Sequence, residues 1–478
     1  MKTIKYITLL CITFFVISCD KFIEEEPTSV ITSNSFWRTE ADAVAGTIGI
    51  YDKLQYIYRG EFGSYIHWTD GRADVAQPGQ TDGSNGVLLN NRLDPRSAGS
   101  WTGLYKAINM ANLAITNIPN IEMDPVLKEQ LLGEAYFIRA YCYFLAARLW
   151  GDVPLLIEPI DNSASDDLKP TRSPRASVLD QVRLDIEKSL SLVPVGYGVA
   201  TFDRGRATVG AVNALKLDFL LWMARVENSG AADLLGAIEA AQQILGNEMY
   251  QLIPNFGDIF RIKNTNETIW AIQYDAAKQE NYNLGANLTP LSQGPYTGGK
   301  MNYEPSEKVK NAFKVNSPND SREAATILEF GEDLIGATSM YIKYIGSPAQ
   351  GTQRNFDSNI MIYRVGGIKL MFAEALNESG RTSEAISELN DVRARAGLPN
   401  TLAVSQEEVR QAILDEHLLE MPFEGSRWFT LIRSGRIAEE VESIQTNVFD
   451  QNSSLVWPIS EDALRQNENL TQNGAYGG

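Results

Sequence analysis

An all-α dominated body, built from tetratricopeptide-like helix pairs with long connecting loops and a few short strands, is the fold the sequence predicts. Three observations carry that prediction. Apolar residues recur at steps of three and four along ten separate stretches. Two of these stretches read as helix–turn–helix pairs punctuated by glycine. Strand-like runs are few and short.

Taken along the chain, helices are expected near 40–58 and 101–118, and the clearest one from about Asp124 to Trp150. In it Leu127, Leu131, Ala135, Ile138, Cys142, Leu145 and Leu149 mark one face. Phe137, Tyr141 and Phe144 mark a second, so the helix is expected to pack on two sides. Gly151 and Pro154 stop it. A strand is expected at Val153–Ile157, then helices near 175–192, 207–227 and 231–246, the last two turning near Gly230. Strands at Thr268–Tyr274 and Tyr341–Ile345 precede a second pair. That pair runs from Gly366 to Asn377 and on to Arg395, with Gly380-Arg381 at the turn and Gly397 and Pro399 closing it. Ser405 and Glu408 form a capping box for a helix at 406–421. A last helix near 426–436 and a strand at Leu455–Ile459 complete the series. Helix pairs of this length predict tetratricopeptide-like units.

The 478 residues are 44% hydrophobic and 21% charged, enough to bury a core without disulfides. Forty-two Lys and Arg face 60 Asp and Glu, for a net charge of −18. This balance argues against a nucleic-acid or anionic-membrane binder, which needs clustered positive charge. Only two histidines, His67 and His417, exist, so a His-based metal site and a Ser-His-Asp triad are excluded on inventory. Gly294 to Lys300 has phosphate-loop spacing, but Met301 stands where Ser or Thr would hold magnesium, and no strand or helix frames it. No cofactor and no metal are expected.

Lys2 and Lys5 precede the apolar stretch from Ile7 to Ile17, the pattern of a secretory signal. Val16-Ile17-Ser18-Cys19 looks like the lipobox of bacterial lipoproteins, so residues 1–18 are read as the signal and Cys19 as the lipidated residue. Residues 19–32 form a tether whose Glu24-Glu25-Glu26 resembles a surface-export signal of Bacteroidetes lipoproteins. Cys11 leaves with the signal, and Cys142 is expected to be a small buried hydrophobe. The remaining chain, 33–478, reads as a single body, anchored to the membrane without crossing it.

In the segments 59–100 and 276–304 the periodicity dissolves. These segments and their borders carry Tyr58, Tyr65, Trp68, Asp70, Arg72, Asp74, Tyr282, Asn283, Tyr296 and Tyr303. Aromatic rings in polar loops suit the apolar CH face of a sugar, and Asp, Asn and Arg bind its hydroxyls.

Five landmarks then appear in order. Ser33 to Ala43 follows the tether, and Trp101-Thr102-Gly103-Leu104-Tyr105 with Asn112 comes next. Glu134 to Ala140 runs into Leu149-Trp150-Gly151-Asp152-Val153-Pro154. Ala373 to Asn377 is followed by Ala394 to Leu398. Asp415-Glu416 leads to Phe423-Glu424-Gly425-Ser426-Arg427-Trp428, with Trp457-Pro458-Ile459 and Asn469 to Asn473 at the end. Through these landmarks the chain resembles the SusD/RagB-like outer-membrane lipoproteins of Bacteroidetes. The resemblance departs at His417 and Leu418, where arginines are usual, and at Thr430, where Asp is common.

The resemblance implies a helix-pair scaffold over about 101–250 and 360–440, with ligand loops at about 59–100 and 276–304. It implies a non-catalytic lipoprotein, lipid-anchored to the outer membrane and facing outward. Such a protein binds a nutrient glycan and delivers it to a SusC-like TonB-dependent transporter. A binder of peptides or another nutrient in the same role is the alternative reading, and a secreted glycoside hydrolase a distant one. Asp70, Arg72, Asp74, Tyr282 and Tyr296 are expected to form the ligand site, with Trp68 and Arg354 beside them. Trp101, Arg427 and Trp428 are expected to be structural.

Overall fold

The computed structural model describes residues 36–59, 65–79, 86–160, 168–277, 282–292, 294–330, 338–446 and 455–476. The signal, Cys19 and the whole tether lie outside the described residues, as do the side chains of Tyr65 and Tyr282. Among these residues, ten longer helices form where the apolar periodicity places them. They are α1 (Glu40–Arg59), α2 (Thr102–Asn117), α3 (Pro125–Trp150), α4 (Arg175–Leu190), α5 (Val209–Arg225), α6 (Ala231–Leu245), α7 (Val365–Glu378), α8 (Thr382–Arg395), α9 (Gln406–Glu420) and α10 (Arg427–Ser434).

Helix α3 organises the N-terminal half. Asp124 caps it by accepting from Leu127 N at 2.9 Å, and Gly151 ends it at φ 75°, a conformation that favours glycine. Every residue from Phe137 to Trp150 is buried, because α2 covers one face and α4 another. Each large apolar side chain so enclosed contributes roughly 1.5–3 kcal/mol. Helices α5 and α6 pair next, then α7 and α8, with α6 against α7 and α9 across α7. Gly210, on α5, lets the segment after α6 approach: a Cβ there would lie 2.2 Å from the Tyr250 hydroxyl. The chain from Ala200 to Arg225 is apolar enough to cross a bilayer, yet it is largely buried within the body. Ser405 and Glu408 close the capping box of α9 as the sequence predicts.

Among the described residues, eight short strands make four two-stranded antiparallel ribbons. β1 (Ala76–Pro78) pairs with β3 (Tyr303–Pro305), β2 (Thr268–Ile272) with β8 (Ile360–Arg364), β4 (Ile327–Glu329) with β5 (Ser339–Tyr341), and β6 (Ser347–Pro348) with β7 (Arg354–Asn355). Two expected strands are absent among the described residues. Val153–Ile157 makes a single bridge to Ser173, and Leu455–Ile459 is irregular. Their backbone groups find other partners: Leu156 N donates to the Tyr143 hydroxyl, Trp457 N to Leu149 O and Ile459 N to Gln472 Oε1. The run expected at Tyr341–Ile345 begins where β5 ends.

A buried ion network ties the C-terminal helices to the ribbons. Arg322 meets Asp320, Glu416 and Glu420 at 2.6–2.8 Å, and Arg364 meets Glu267, Glu420 and Glu424. Arg395 joins Glu267 and Glu420, and Lys343 joins Glu424. Burial opposes the charge of Glu420, but Arg395, Arg364 and Arg322 outweigh it and hold that carboxyl well below the usual range. His417 lies in α9 between two of these acids. Its Nε2 is 3.1 Å from the hydroxyls of both Ser426 and Thr430. Two positions at which the resemblance departs, His417 and Thr430, thus touch each other as a neutral hydrogen-bonded pair. Burial, with Arg427 and Arg433 nearby, pushes the His417 pKa well down and keeps the ring neutral.

Candidate functional site

The segments 59–100 and 276–304 do come together, at their bases. Gly79 N donates to Asn302 O at 3.1 Å beside the β1–β3 ribbon, and Asn287 Nδ2 lies 2.8 Å from His67 Nε2. Tyr303 is buried, with its ring 5.1 Å from that of His67 and 5.7 Å from that of Phe423. Tyr58 is buried as well, its hydroxyl bonded to that of Tyr141. Asn283 Nδ2 donates to Arg59 O.

Four of the expected ligand residues turn inward, which corrects the assignment of that segment. Trp68 is buried, packing edge-on against Trp150 and Trp457 at 5.5 and 6.3 Å. Asp70 lies under the start of α10, where its two carboxylate oxygens accept from Gly425 N at 2.9 Å and Arg427 N at 3.0 Å. Burial pushes its pKa up to about 7. Arg72 lies over Trp428, 4.1 Å from the ring centre, and donates Nε to Asn91 Oδ1 at 2.8 Å. Burial lowers its pKa to about 10. Asp74 accepts Arg427 Nε and Nη2 at 2.9 and 2.8 Å, and Lys308 Nζ at 2.6 Å. Burial alone would raise its pKa, but Arg427 and Lys308 outweigh it and hold the group at about 2. The polar row from Asp70 to Asp74 is therefore a buckle closing on the Gly425–Trp428 landmark. A short polar segment has no periodicity to reveal which way it points, and the carboxylates of Asp70 and Asp74 are spent on the protein itself.

Tyr296 and Arg354 lie elsewhere, and the structure does bring them together. The Arg354 guanidinium is 5.2 Å from the Tyr296 ring centre. Both residues are half-buried. Tyr296 packs on a small apolar cluster of Met301, Met340, Ile342 and Ile345. Arg354 opens β7 and is aimed by donating Nε to Ile345 O at 3.1 Å and Nη2 to Gly346 O. The two loops are stitched by Thr297 N to Thr352 O at 2.9 Å and by their hydroxyls at 2.9 Å. Gly294 and Gly298, at φ 107° and 100°, make the bends that present Tyr296. Around the pair the tip residues Gln350 to Gln353 and Leu291 are exposed. A fixed ring with a fixed guanidinium, inside a fringe of amides and hydroxyls, offers stacking and bidentate donors to a hydroxyl-rich ligand. The β6–β7 hairpin that holds Arg354 went unpredicted. Its signal was Ser347-Pro348-Ala349-Gln350-Gly351, a turn flanked by two-residue strands too short to show alternation.

Comparison with known proteins adds the following. The SusD family profile matches residues 336–476, and a profile described as starch-binding associating with outer membrane matches residues 80–214. The SusD-like protein P38 of Formosa agariphila is 30% identical over 99% of both chains. A SusD-like protein of Bacteroides ovatus is 23% identical over 87% of this chain and 80% of its own. Among solved structures, B. fragilis NanU superposes with a TM-score of 0.78 at 25% identity, covering 95% of this chain and 100% of that one. A laminarin-binding SusD-like protein gives 0.78 at 23% identity, covering 92% and 100%.

Proposed function

The chain belongs to the SusD family, and from that membership we propose that it captures a nutrient glycan at the cell surface and passes it, unmodified, to a SusC-like TonB-dependent transporter. The observation that carries this reading is similarity along the whole chain to a SusD-like protein, from one end to the other. The outer-membrane, starch-binding description of the second profile supports the ligand class, as does the laminarin binding of one structural neighbour. In this reading Cys19 carries the lipid and residues 20–32 tether the body outside the membrane. Tyr296 stacks on the sugar and Arg354 grips its hydroxyls.

Affinity electrophoresis in starch and in laminarin, followed by isothermal titration with the retained glycan, tests the reading. Tyr296→Ala and Arg354→Ala should each weaken binding by roughly 1–3 kcal/mol, the usual loss for an aromatic or arginine anchor. No release of reducing ends should accompany retention. Unchanged affinity in both variants would take the site away from this loop, and turnover of the glycan would make the protein an enzyme.

A further inference from the structure

A second feature lies apart from Tyr296. Trp101, just before α2, and Tyr105, in its first turn, line two adjoining clefts of about 450 and 360 Å³. Thr102, Leu156 and Ile160 also border both, so the two lobes form one elongated groove. Both rings are half-buried and held: Trp101 meets Trp150 edge-on at 5.9 Å, and Tyr105 gives its hydroxyl to Pro154 O at 2.6 Å. They present a preset apolar wall at little entropic cost.

Among the described residues, the larger lobe is lined by Lys53 and Lys106 and by no acidic residue, in a chain whose net charge is −18. Lys106 is exposed, with its ammonium 5.9 Å from the half-exposed Tyr56 ring. Lys53 lies 2.9 Å from Asp52, a partner 61% exposed and so a weak competitor for it. The smaller lobe adds hydroxyls and amides, among them Ser460 and Gln466, and one carboxylate, Asp462, which is paired with Arg465. The volume of each lobe falls in the range of small-ligand clefts.

We propose that this groove is a second binding site, taking an anionic oligosaccharide whose rings lie along Trp101 and Tyr105 and whose carboxylate or sulfate faces Lys53 and Lys106. The inference rests on the glycan-binding reading above. Ring-plus-cation chemistry on an otherwise acidic surface selects sugars that carry charge over neutral ones.

Isothermal titration of the lipid-free mature chain with oligogalacturonate, a sulfated carrageenan oligosaccharide and a neutral laminari-oligosaccharide tests it. The first two probes tell carboxylate from sulfate. At least one of them should bind, more weakly as salt rises. The Lys53→Met, Lys106→Met double variant removes both cations of the larger lobe. It should bind that probe roughly five- to thirtyfold more weakly and lose the salt dependence, while Tyr296→Ala leaves it intact. Anionic binding that ignores the lysine variant, or that disappears with Tyr296→Ala, overturns the proposal. So does binding of the neutral probe alone, which leaves the glycan reading standing; silence from every glycan here and in the starch and laminarin assays brings down both.

Discussion

Replacing Asp74 by Asn tests whether the Asp70–Asp74 row is structural, and the structure fixes how large the effect should be. The side chain is 2% exposed and meets Arg427, itself 1% exposed, through two hydrogen bonds. Its carboxyl is held at about 2 against an ordinary value of 3.8. At 1.36 kcal/mol per pKa unit, that depression is worth ~2.4 kcal/mol at neutral pH. Leaving Arg427 without its counter-charge raises the cost toward the ~3–5 kcal/mol typical of a broken buried pair. A folded-state pKa below the unfolded one stabilises above the unfolded value and loses that contribution as pH falls through the folded value. By linkage the contribution should therefore fall from ~2.4 kcal/mol at pH 7 to ~1.3 near pH 3. Asp70, pushed up to about 7 by burial, titrates in both proteins. Urea unfolding of both proteins at several pH values between 7 and 3 measures this. At a temperature where both stay folded, the variant should bind glycan within twofold of the parent. A destabilisation below about 1 kcal/mol, one that does not shrink on acidification, or lost affinity in a folded variant would return Asp74 to the ligand site.

Three further expectations concern the interior and the anchor. Glu420→Gln should cost about 3–5 kcal/mol by urea unfolding, since Arg322, Arg364 and Arg395 would share a buried cluster with one negative charge fewer. Cys142 is fully buried, and burial pushes its thiol pKa up, so it should ignore Ellman's reagent in the native protein and react only on unfolding. Cys19→Ala should abolish incorporation of a palmitate analogue in cells, and label persisting in the variant would move the anchor elsewhere.

The helices were legible because burial of one face imposes a 3.6-residue period that no tertiary contact needs to explain. Asp124, Gly151, Ser405 and Gly380 then mark ends or turns by local hydrogen bonds and backbone conformation. The strands were less legible. Val153–Ile157 and Leu455–Ile459 have the composition of strands, but the Tyr143 hydroxyl, the Gln472 side chain and the end of α3 take their backbone groups. Neither partner choice leaves a trace in a window of five residues. The site was legible only in part, for a related reason. Asp74 and Arg427 are 353 positions apart, and nothing in either neighbourhood states that one neutralises the other. His417 and Thr430 show the limit from the other side: each looks like an isolated departure, and only their contact at 3.1 Å makes them one exchange.

The arrangement of the two long segments gives a physical reason for dividing rigidity from recognition. Their bases are locked by partners far away in the chain: Asp70 and Asp74 to Arg427, Tyr303 to Phe423, Asn283 to Arg59. Releasing any of these exposes a buried charge, ring or amide, so change at the bases is costly. The tips meet the opposite condition. Around Tyr296 the contacts are a few hydrogen bonds between neighbouring turns, one small apolar cluster, and exposed side chains from Gln350 to Gln353. Substitution there costs little stability and changes what the ring and the guanidinium can reach. A binding surface on such tips can be retuned to another sugar while the buckle beneath keeps its geometry. Swapping residues 349–353 should therefore alter glycan preference with less than about 1 kcal/mol change in stability. A swap that unfolds the chain, measured by the same urea titration, would show that the tip belongs to the core after all.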